Sequence, residues 1–376
     1  MKTLSQSEIY DKNIFLRVDL NVPMTNGKIR DDSKITSVIP TIKHLIKNNN
    51  KIIICSHLGR PKGSYNKDLS LQPIALRLSE FLENIEIKMI NLPFDNLTTD
   101  QFKSSNIYML ENIRFDNREE LNSEVLSNEL SKFADIYIND AFASSHRKHA
   151  STYGITKFLP SYAGFLIEKE INALNKLFSK KYSKKLAIVG GAKVSDKIQL
   201  INNLSKKLDF ILIGGGMISA FVQKNHPDHE FAQEIVIKSK ANIIIPDYVL
   251  AGNEFNENTK YKIINTKNIE DNLNIKILDI AEKSFKKISG YISYSDMIIW
   301  NGPVGVFEWA NFSHGTLKLI ELLKNAKAQT FIGGGSTAEI IHKTSAEKFF
   351  THISTGGGAT LEFLEGKELP GLTALL

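Results

Sequence analysis

The sequence predicts an α/β fold of two doubly wound domains with parallel sheets, joined by a helix. Length is the first observation: 376 residues are more than one typical core holds. The second is a series of short apolar runs rich in Ile and Val: NIFLRVD, KIIICSH, NIYMLEN and DIYINDA, then KLAIVGG, FILIGGG, NIIIPD, IKILDI, DMIIWNG and QTFIGGG. Most are separated by stretches long enough for a helix. Continuous apolar strands alternating with helices imply parallel sheets covered on both faces. So many strands exceed one small sheet, hence two domains. The third is a chemical difference between the halves. All seven arginines (Arg17, Arg30, Arg60, Arg77, Arg114, Arg118, Arg147) lie in the first half, and all three Gly-Gly-Gly runs, Gly214–Gly216, Gly333–Gly335 and Gly356–Gly358, lie in the second.

The boundary is expected near FLPSYAG, Phe158 to Gly164, giving domains over 1–164 and 165–363. Beyond it Ile167, Ile171, Leu174 and Phe178 recur at helical spacing, which suits a joining helix and equally an ordinary surface helix. One cysteine, Cys55, excludes an internal disulfide and points to a reducing compartment. The start, MKTLSQSEIYDK, has no apolar signal region, and no apolar run reaches the length of a membrane span. The net charge of +6 is spread over scattered lysines. Without a basic stripe interleaved with aromatics, nucleic acid is not the expected partner.

Ligands of open α/β sheets bind beyond the carboxyl ends of the strands. Polar groups of the first half fall there: Asp19 and Asn21 in RVDLNVP, His57 and Arg60 in SHLGRPKG, Arg114 in ENIRF, and Arg147 after DIYINDAF. In a chain that otherwise uses lysine, retained arginines suggest a need for the guanidinium fork, which meets carboxylate or phosphate oxygens two at a time. Arg60, Arg114 and Arg147 are therefore assigned to one shared anion site, whereas Arg17, Arg77 and Arg118 are left structural. In NDAFASSHRKHAS the pair His146 and His149 could be read as metal ligands, but Arg147 between them would repel a cation and no Cys or Glu adjoins them. An anion is the better reading.

In the second half, GGAKVSDKI places Lys193 and Lys197 on one face if a helix begins there, where both would meet phosphate oxygens. FIGGGSTAEII offers Ser336 and Thr337 after a glycine turn; taken alone it suits a plain tight turn with an N-cap as well as a phosphate nest. WNGPVGVFE offers Asn301 and Glu308, the latter able to accept from ribose hydroxyls. Neither G-x-x-x-x-G-K-[ST] nor G-x-G-x-x-G occurs, which weighs against a P-loop enzyme and against a nicotinamide-dependent dehydrogenase.

Together RVDLNVP, SHLGRPKG, ENIRFD, NDAF…HRKHAS, GGAKVSDKI, WNGPVGVFE and STGGGATLEFLEGKELPG resemble the phosphoglycerate kinase family in order and spacing over the whole chain. The resemblance implies two Rossmann-like domains around a hinge helix, with a tail over 364–376 folding back on the first. It implies a cytoplasmic, monomeric glycolytic kinase that moves a phosphoryl group between 1,3-bisphosphoglycerate and ADP, with Mg2+ on the nucleotide, giving 3-phosphoglycerate and ATP. By the same resemblance Asp19, Asn21, Lys34, His57, Leu58, Gly59, Arg60, Arg114 and Arg147 hold phosphoglycerate. Lys193, Lys197, Asn301, Glu308, Gly334, Gly335, Ser336, Thr337 and Ala338 hold the nucleotide. Lys34, Arg147, Lys197 and Thr337 then serve the transfer itself.

Three departures from the family stand out. Lys34 occupies the place of a catalytic arginine, Ser336 that of an aspartate serving magnesium, and Ile277 that of a glycine near the nucleotide. The first two raise a second expectation, a phosphoglycerate- or nucleotide-binding homologue of weakened catalysis.

Overall fold

The computed structural model describes residues 1–91, 102, 105–269 and 275–376. The chain forms two compact units, residues 1–172 with 368–376, and residues 173–367.

Unit 1 begins with β1 (Asn13–Val18), a small hairpin β2 (Met24–Thr25) and β3 (Lys28–Ile29), α1 (Ser33–Lys47) and β4 (Lys51–Cys55). It continues through α2 (Gln72–Phe81), β5 (Lys88–Ile90), β6 (Ile107–Leu110), α3 (Glu124–Ser131), β7 (Ile136–Asp140) and β8 (Ser161–Ala163). Six strands make one parallel sheet in the order β5-β6-β4-β1-β7-β8. Its central strands are buried on both faces, which is why β1 and β4 read as unbroken apolar runs rather than alternating ones. The strand order reverses between β1 and β7, so the crevice beyond Val18 and Asp140 is the place where such a sheet takes a ligand.

Helix α4 (Phe165–Leu177) follows, and the chain passes from one unit to the other inside it, after Asn172. Unit 2 then runs through β9 (Lys185–Val189), α5 (Ile198–Ser205), β10 (Phe210–Ile213), α6 (Ile218–Val222), α7 (His229–Lys238) and β11 (Asn242–Ile244). After β12 (Tyr248–Gly252), β13 (Tyr261–Asn265) and β14 (Lys276–Ile280) come α8 (Phe285–Tyr294), β15 (Met297–Asn301), α9 (His314–Lys324), β16 (Gln329–Gly333), α10 (Gly335–Lys343) and β17 (His352–Ile353). Helices α11 (Gly358–Leu364) and α12 (Pro370–Thr373) end the chain, the latter in unit 1. The parallel sheet has the order β11-β10-β9-β15-β16-β17, and its switch point lies between β9 and β15. All ten apolar runs are strands, but IKILDI departs from expectation. It forms β14 of a separate antiparallel sheet, β13-β12-β14, instead of joining the parallel one. Among the described residues no helix is long and apolar enough to cross a membrane.

Helix α4 is anchored by a buried carboxylate. Asp140 is fully buried at the end of β7, and its Oδ1 accepts from Leu166 N (2.8 Å) and Ile167 N (3.2 Å) in the first turn of α4. Burial raises its pKa to about 7, against the Thr41 hydroxyl and the two amides that favour the charged form. An aspartate in the unfolded chain titrates near about 4. The folded state therefore holds this proton more tightly, and the stability it contributes is fully present below the unfolded pKa and is lost as pH rises toward about 7. Asp140→Asn should remove that loss. Thermal melts of both proteins at acid and at neutral pH should show the parent losing stability relative to the variant as pH rises; a difference independent of pH would disprove it.

Candidate active site

In unit 1 the loops leaving β1, β4, β6 and β7 converge at the switch point. Asp19, just past β1, is buried, and its Oδ1 accepts from Lys34 Nζ (3.0 Å) and Asn21 N (3.1 Å) while its Oδ2 accepts from Ser144 Oγ (3.0 Å). Burial acts to raise its pKa, but the Lys34 ammonium, helped by the Arg17 guanidinium, holds the carboxyl well below the usual range. Asn21 Oδ1 accepts from Gly59 N (2.9 Å), tying the loop after β1 to SHLGR. Gly59 has φ +61, a left-handed turn that brings Gly59 O to Arg114 Nη1 at 2.8 Å. Asn112 of ENIRF donates from Nδ2 to Leu58 O (2.7 Å) and Leu69 O (3.0 Å), so the two loops are stitched by backbone carbonyls.

The result is a pocket of cations. His57 and Arg114 are buried, Lys34 and Arg147 half-buried, Arg60 exposed. Burial, reinforced by Arg17, Arg114 and Lys34 and opposed by Asp19, lowers the His57 pKa well below its ordinary value, which favours the neutral ring. His149 is likewise pushed down to about 3, by burial and then by Arg114, Arg17 and Arg147. Its Nδ1 lies 3.7 Å from the buried Glu119. Lys34 pairs with Asp19 and Arg114 Nε with Glu120 at 3.2 Å, yet Arg17, Lys34, Arg60, Arg114 and Arg147 outnumber Asp19, Glu119 and Glu120, and that excess of positive charge suits an anion. Among the described residues no group of three or more His, Cys, Asp or Glu side chains could hold a metal ion.

Arg17, assigned to structure from the sequence, stands behind this pocket. It is almost completely buried in β1. Its mid-strand position gives no sign of this, since its partner Ser151 is far away in the chain and only the fold brings them together.

In unit 2 the polar residues gather at the β9/β15 switch point. Lys197 Nζ donates to Asn301 Oδ1 at 2.7 Å, and burial lowers the lysine pKa. Asn301 is buried, and its Nδ2 has no hydrogen-bond partner. A Cβ at Gly334 would stand 3.1 Å from that Nδ2, so the orphan donor lies beside the turn that opens α10. Gly334 caps α10 at φ +90, with Gly335 and Ser336 exposed on the first turn and Ala338 half-buried. A helix N-terminus with an unpartnered amide beside it is an anion site.

One expectation changes here. Lys193 and Lys197 do not share a helical face: a 3-10 turn covers Ser195–Lys197 and α5 starts only at Ile198, which leaves Lys193 exposed ahead of it. Thr337 is fully buried, and its Oγ1 accepts from Gly302 N at 2.7 Å. Its oxygen therefore braces the Gly302 turn by accepting, while its O–H is still a donor.

A cavity of about 350 Å³ adjoins the switch point, lined by Gly191, Gly215 and Gly216 on the glycine side and by Ile277, Val306 and Glu308 opposite. Gly215 has φ +68, and a Cβ there would meet Gly191 O at 2.6 Å. The glycines thus allow two backbone loops to close on each other and form a flat wall. Ile277 presents an apolar side chain to the cavity. The sequence shows Gly214–Gly216 as a glycine run after a strand, and only the fold shows it as the wall of this cavity.

The sequence model described as phosphoglycerate kinase matches residues 4–367. The chain belongs to the phosphoglycerate kinase family. It is 42% identical to the phosphoglycerate kinase of Finegoldia magna, across all of this chain and 98% of that one. It is 38% identical to that of Clostridium tetani, across all of this chain and 97% of that one. Among solved structures it resembles phosphoglycerate kinase from Coxiella burnetii, with TM-score 0.87, 32% identity and coverage of 99% and 98% of the two chains. The phosphoglycerate kinase of Pyrococcus horikoshii OT3 gives TM-score 0.82, 32% identity and coverage of 100% and 98%. Membership makes the chain a phosphotransferase by family.

Proposed function

We propose that this chain transfers a phosphoryl group reversibly between 1,3-bisphosphoglycerate and ADP, forming 3-phosphoglycerate and ATP. The observation that carries the reading is the division of chemistry: buried His57 among Lys34, Arg114 and Arg147 in unit 1, and the α10 N-terminus with its cavity in unit 2. In this reading unit 1 takes the phosphoglycerate. Lys34, Arg60, Arg114 and Arg147 meet its oxyanions, while Asp19 and Asn21 order the loops and Lys34. Unit 2 takes the nucleotide, its base against Ile277 and Val306, its ribose at Glu308, its phosphates at Lys197, Asn301 and Gly335–Ser336. Phosphoryl transfer needs little covalent help; it needs in-line placement and positive charge around the equatorial oxygens. Lys34, Arg147 and Lys197 supply that charge. Closure of the units on both substrates would keep water from the acyl phosphate.

Magnesium belongs to the nucleotide substrate in this proposal. Ser336 offers a hydroxyl where the family has a carboxylate, a donor set that suits an ion held by phosphate oxygens and waters. That ion would neutralise phosphate charge. A cytoplasmic monomer completes the proposal. The test is turnover of 3-phosphoglycerate with ATP, followed through a coupled assay, with magnesium varied. Saturable, magnesium-dependent turnover is expected. Binding of both substrates without turnover would establish a binding protein instead.

A further inference from the structure

Arg17 has three polar contacts, and together they select a proton position. Its Nε donates to Ser151 Oγ at 2.8 Å, its Nη1 to Val18 O, and its Nη2 lies 3.3 Å from His57 Nδ1. Ser151 Oγ in turn donates to Glu119 Oε1 at 2.7 Å, and Ser151 N donates to Glu119 Oε2 at 2.8 Å. Both carboxylate oxygens of the fully buried Glu119 are thus engaged, and the chain Glu119–Ser151–Arg17 aims the guanidinium at the His57 ring. A guanidinium can only donate, so the ring nitrogen facing it must accept and can carry no proton. In a neutral imidazole the proton is then on the other nitrogen.

We propose that Arg17 is a positioning residue that fixes His57 as its Nε2–H tautomer, so that the histidine offers a donor to an incoming oxyanion of phosphoglycerate. The oxyanion part rests on the function proposed above; the tautomer does not. The charged groups around His57 agree. Arg17 comes from β1, Asp19 from the loop after it, Lys34 from α1, and Arg114 from the loop after β6. Three of the four are cations, which disfavour imidazolium. A neutral ring with its proton on Nε2 can serve an anion over the whole range in which an ordinary histidine would titrate.

Nitrogen NMR of the labelled, ligand-free protein tests the tautomer directly, with His57→Gln assigning the signals among the nine histidines. Nδ1 unprotonated and Nε2 protonated from mildly acid to mildly alkaline pH is expected. An Nδ1–H tautomer, or imidazolium at neutral pH, overturns the proposal. The second arm is the double variant Arg17→Met with Glu119→Gln, which removes the donor together with the buried carboxylate it serves. By calorimetry it should bind 3-phosphoglycerate about tenfold more weakly, the worth of one charge-assisted hydrogen bond, with affinity now varying with pH and ATP binding unchanged. Unchanged tautomer and unchanged affinity in the folded variant also overturn it. If that variant does not fold, the spectrum of the parent still decides. If the parent binds no 3-phosphoglycerate, the functional reading fails while the Arg17–His57 pairing is judged by the spectrum alone.

Discussion

Replacing Lys34 with alanine is expected to lower kcat by about 10²–10³-fold with little change in ATP affinity. Arginines beside a transferring phosphoryl group are worth about 10³–10⁵ in rate, and a lysine keeps part of that, because an ammonium is a point charge where a guanidinium touches two oxygens. The structure adds a second cost. Lys34 Nζ sits 3.0 Å from Asp19 Oδ1, and this ammonium is the strongest of the charges holding the buried carboxylate in its ionised form. Without it Asp19 keeps only Asn21 N and Ser144 Oγ, and the loop after β1 loses its order. Lys34→Arg should raise kcat while leaving both KM values near those of the parent, since the gain is realised in the transition state. An arginine variant slower than the parent would mean that the Asp19 pocket is fitted to lysine. A silent Lys34→Ala would remove the residue from the mechanism and turn attention to Arg30, which is exposed at the end of the β2–β3 hairpin. Steady-state kinetics on the alanine and arginine variants, with Arg30→Ala as the third, separates these outcomes.

The second large effect concerns a glycine whose need is steric. A Cβ at Gly190 would stand 2.0 Å from Pro303 O and 2.5 Å from Gly302 O, and a Cβ at Gly302, itself at φ +93, would stand 2.3 Å from Gly190 O. These obstacles are backbone and cannot rotate away. The two strand ends are held together by Gly190 N donating to Asn301 O at 2.9 Å, beside the Lys197–Asn301 pair. Gly190→Ala should therefore destabilise unit 2 by about 1–3 kcal/mol. It should also weaken ATP binding by about tenfold or more, since 1.4 kcal/mol of misplacement suffices, and leave 3-phosphoglycerate binding unaltered. Thermal melts with titrations of both ligands are the measurement. A variant as stable as the parent would mean that the strand ends lie further apart than described here.

What could be read in advance follows from where the signal sits. Buried parallel strands announce themselves as apolar runs because both faces are covered, so β1, β4, β6, β7 and the core of the second sheet were legible. Strands β5, β8 and β17 have two or three residues each and, unlike the equally short β11, lie in no run of consecutive Ile or Val residues. Residues at the carboxyl ends of strands, such as Asp19, His57, Arg114 and Asn301, were legible because the sheet topology dictates that place. Arg17 was not, since its role depends on His57, Ser151 and Glu119, which only the folded chain assembles. Lys193 and Lys197 failed as a pair for a local reason: the turn before α5 delays the helix until after the second lysine. Gly190 was visible as half of a Gly-Gly pair, but its obstacle, the Pro303 carbonyl, lies on another strand end.

The return of the chain to unit 1 has a consequence in time. Asn139 Nδ2 donates to Gly371 O at 3.0 Å, and Gly371 N donates to Ser145 O at 2.8 Å, next to the Ser144 that holds Asp19. Residues 368–376 are made only after the whole of 173–367. At about 5–20 residues per second, roughly 10–40 s of synthesis separate the body of unit 1 from the segment that covers it. Through that interval the backbone of Ser145 and the Asn139 amide stay wet, and the loop carrying Ser144 lacks its support. The half of the molecule that is translated first therefore lacks its last segment until the other half has been made.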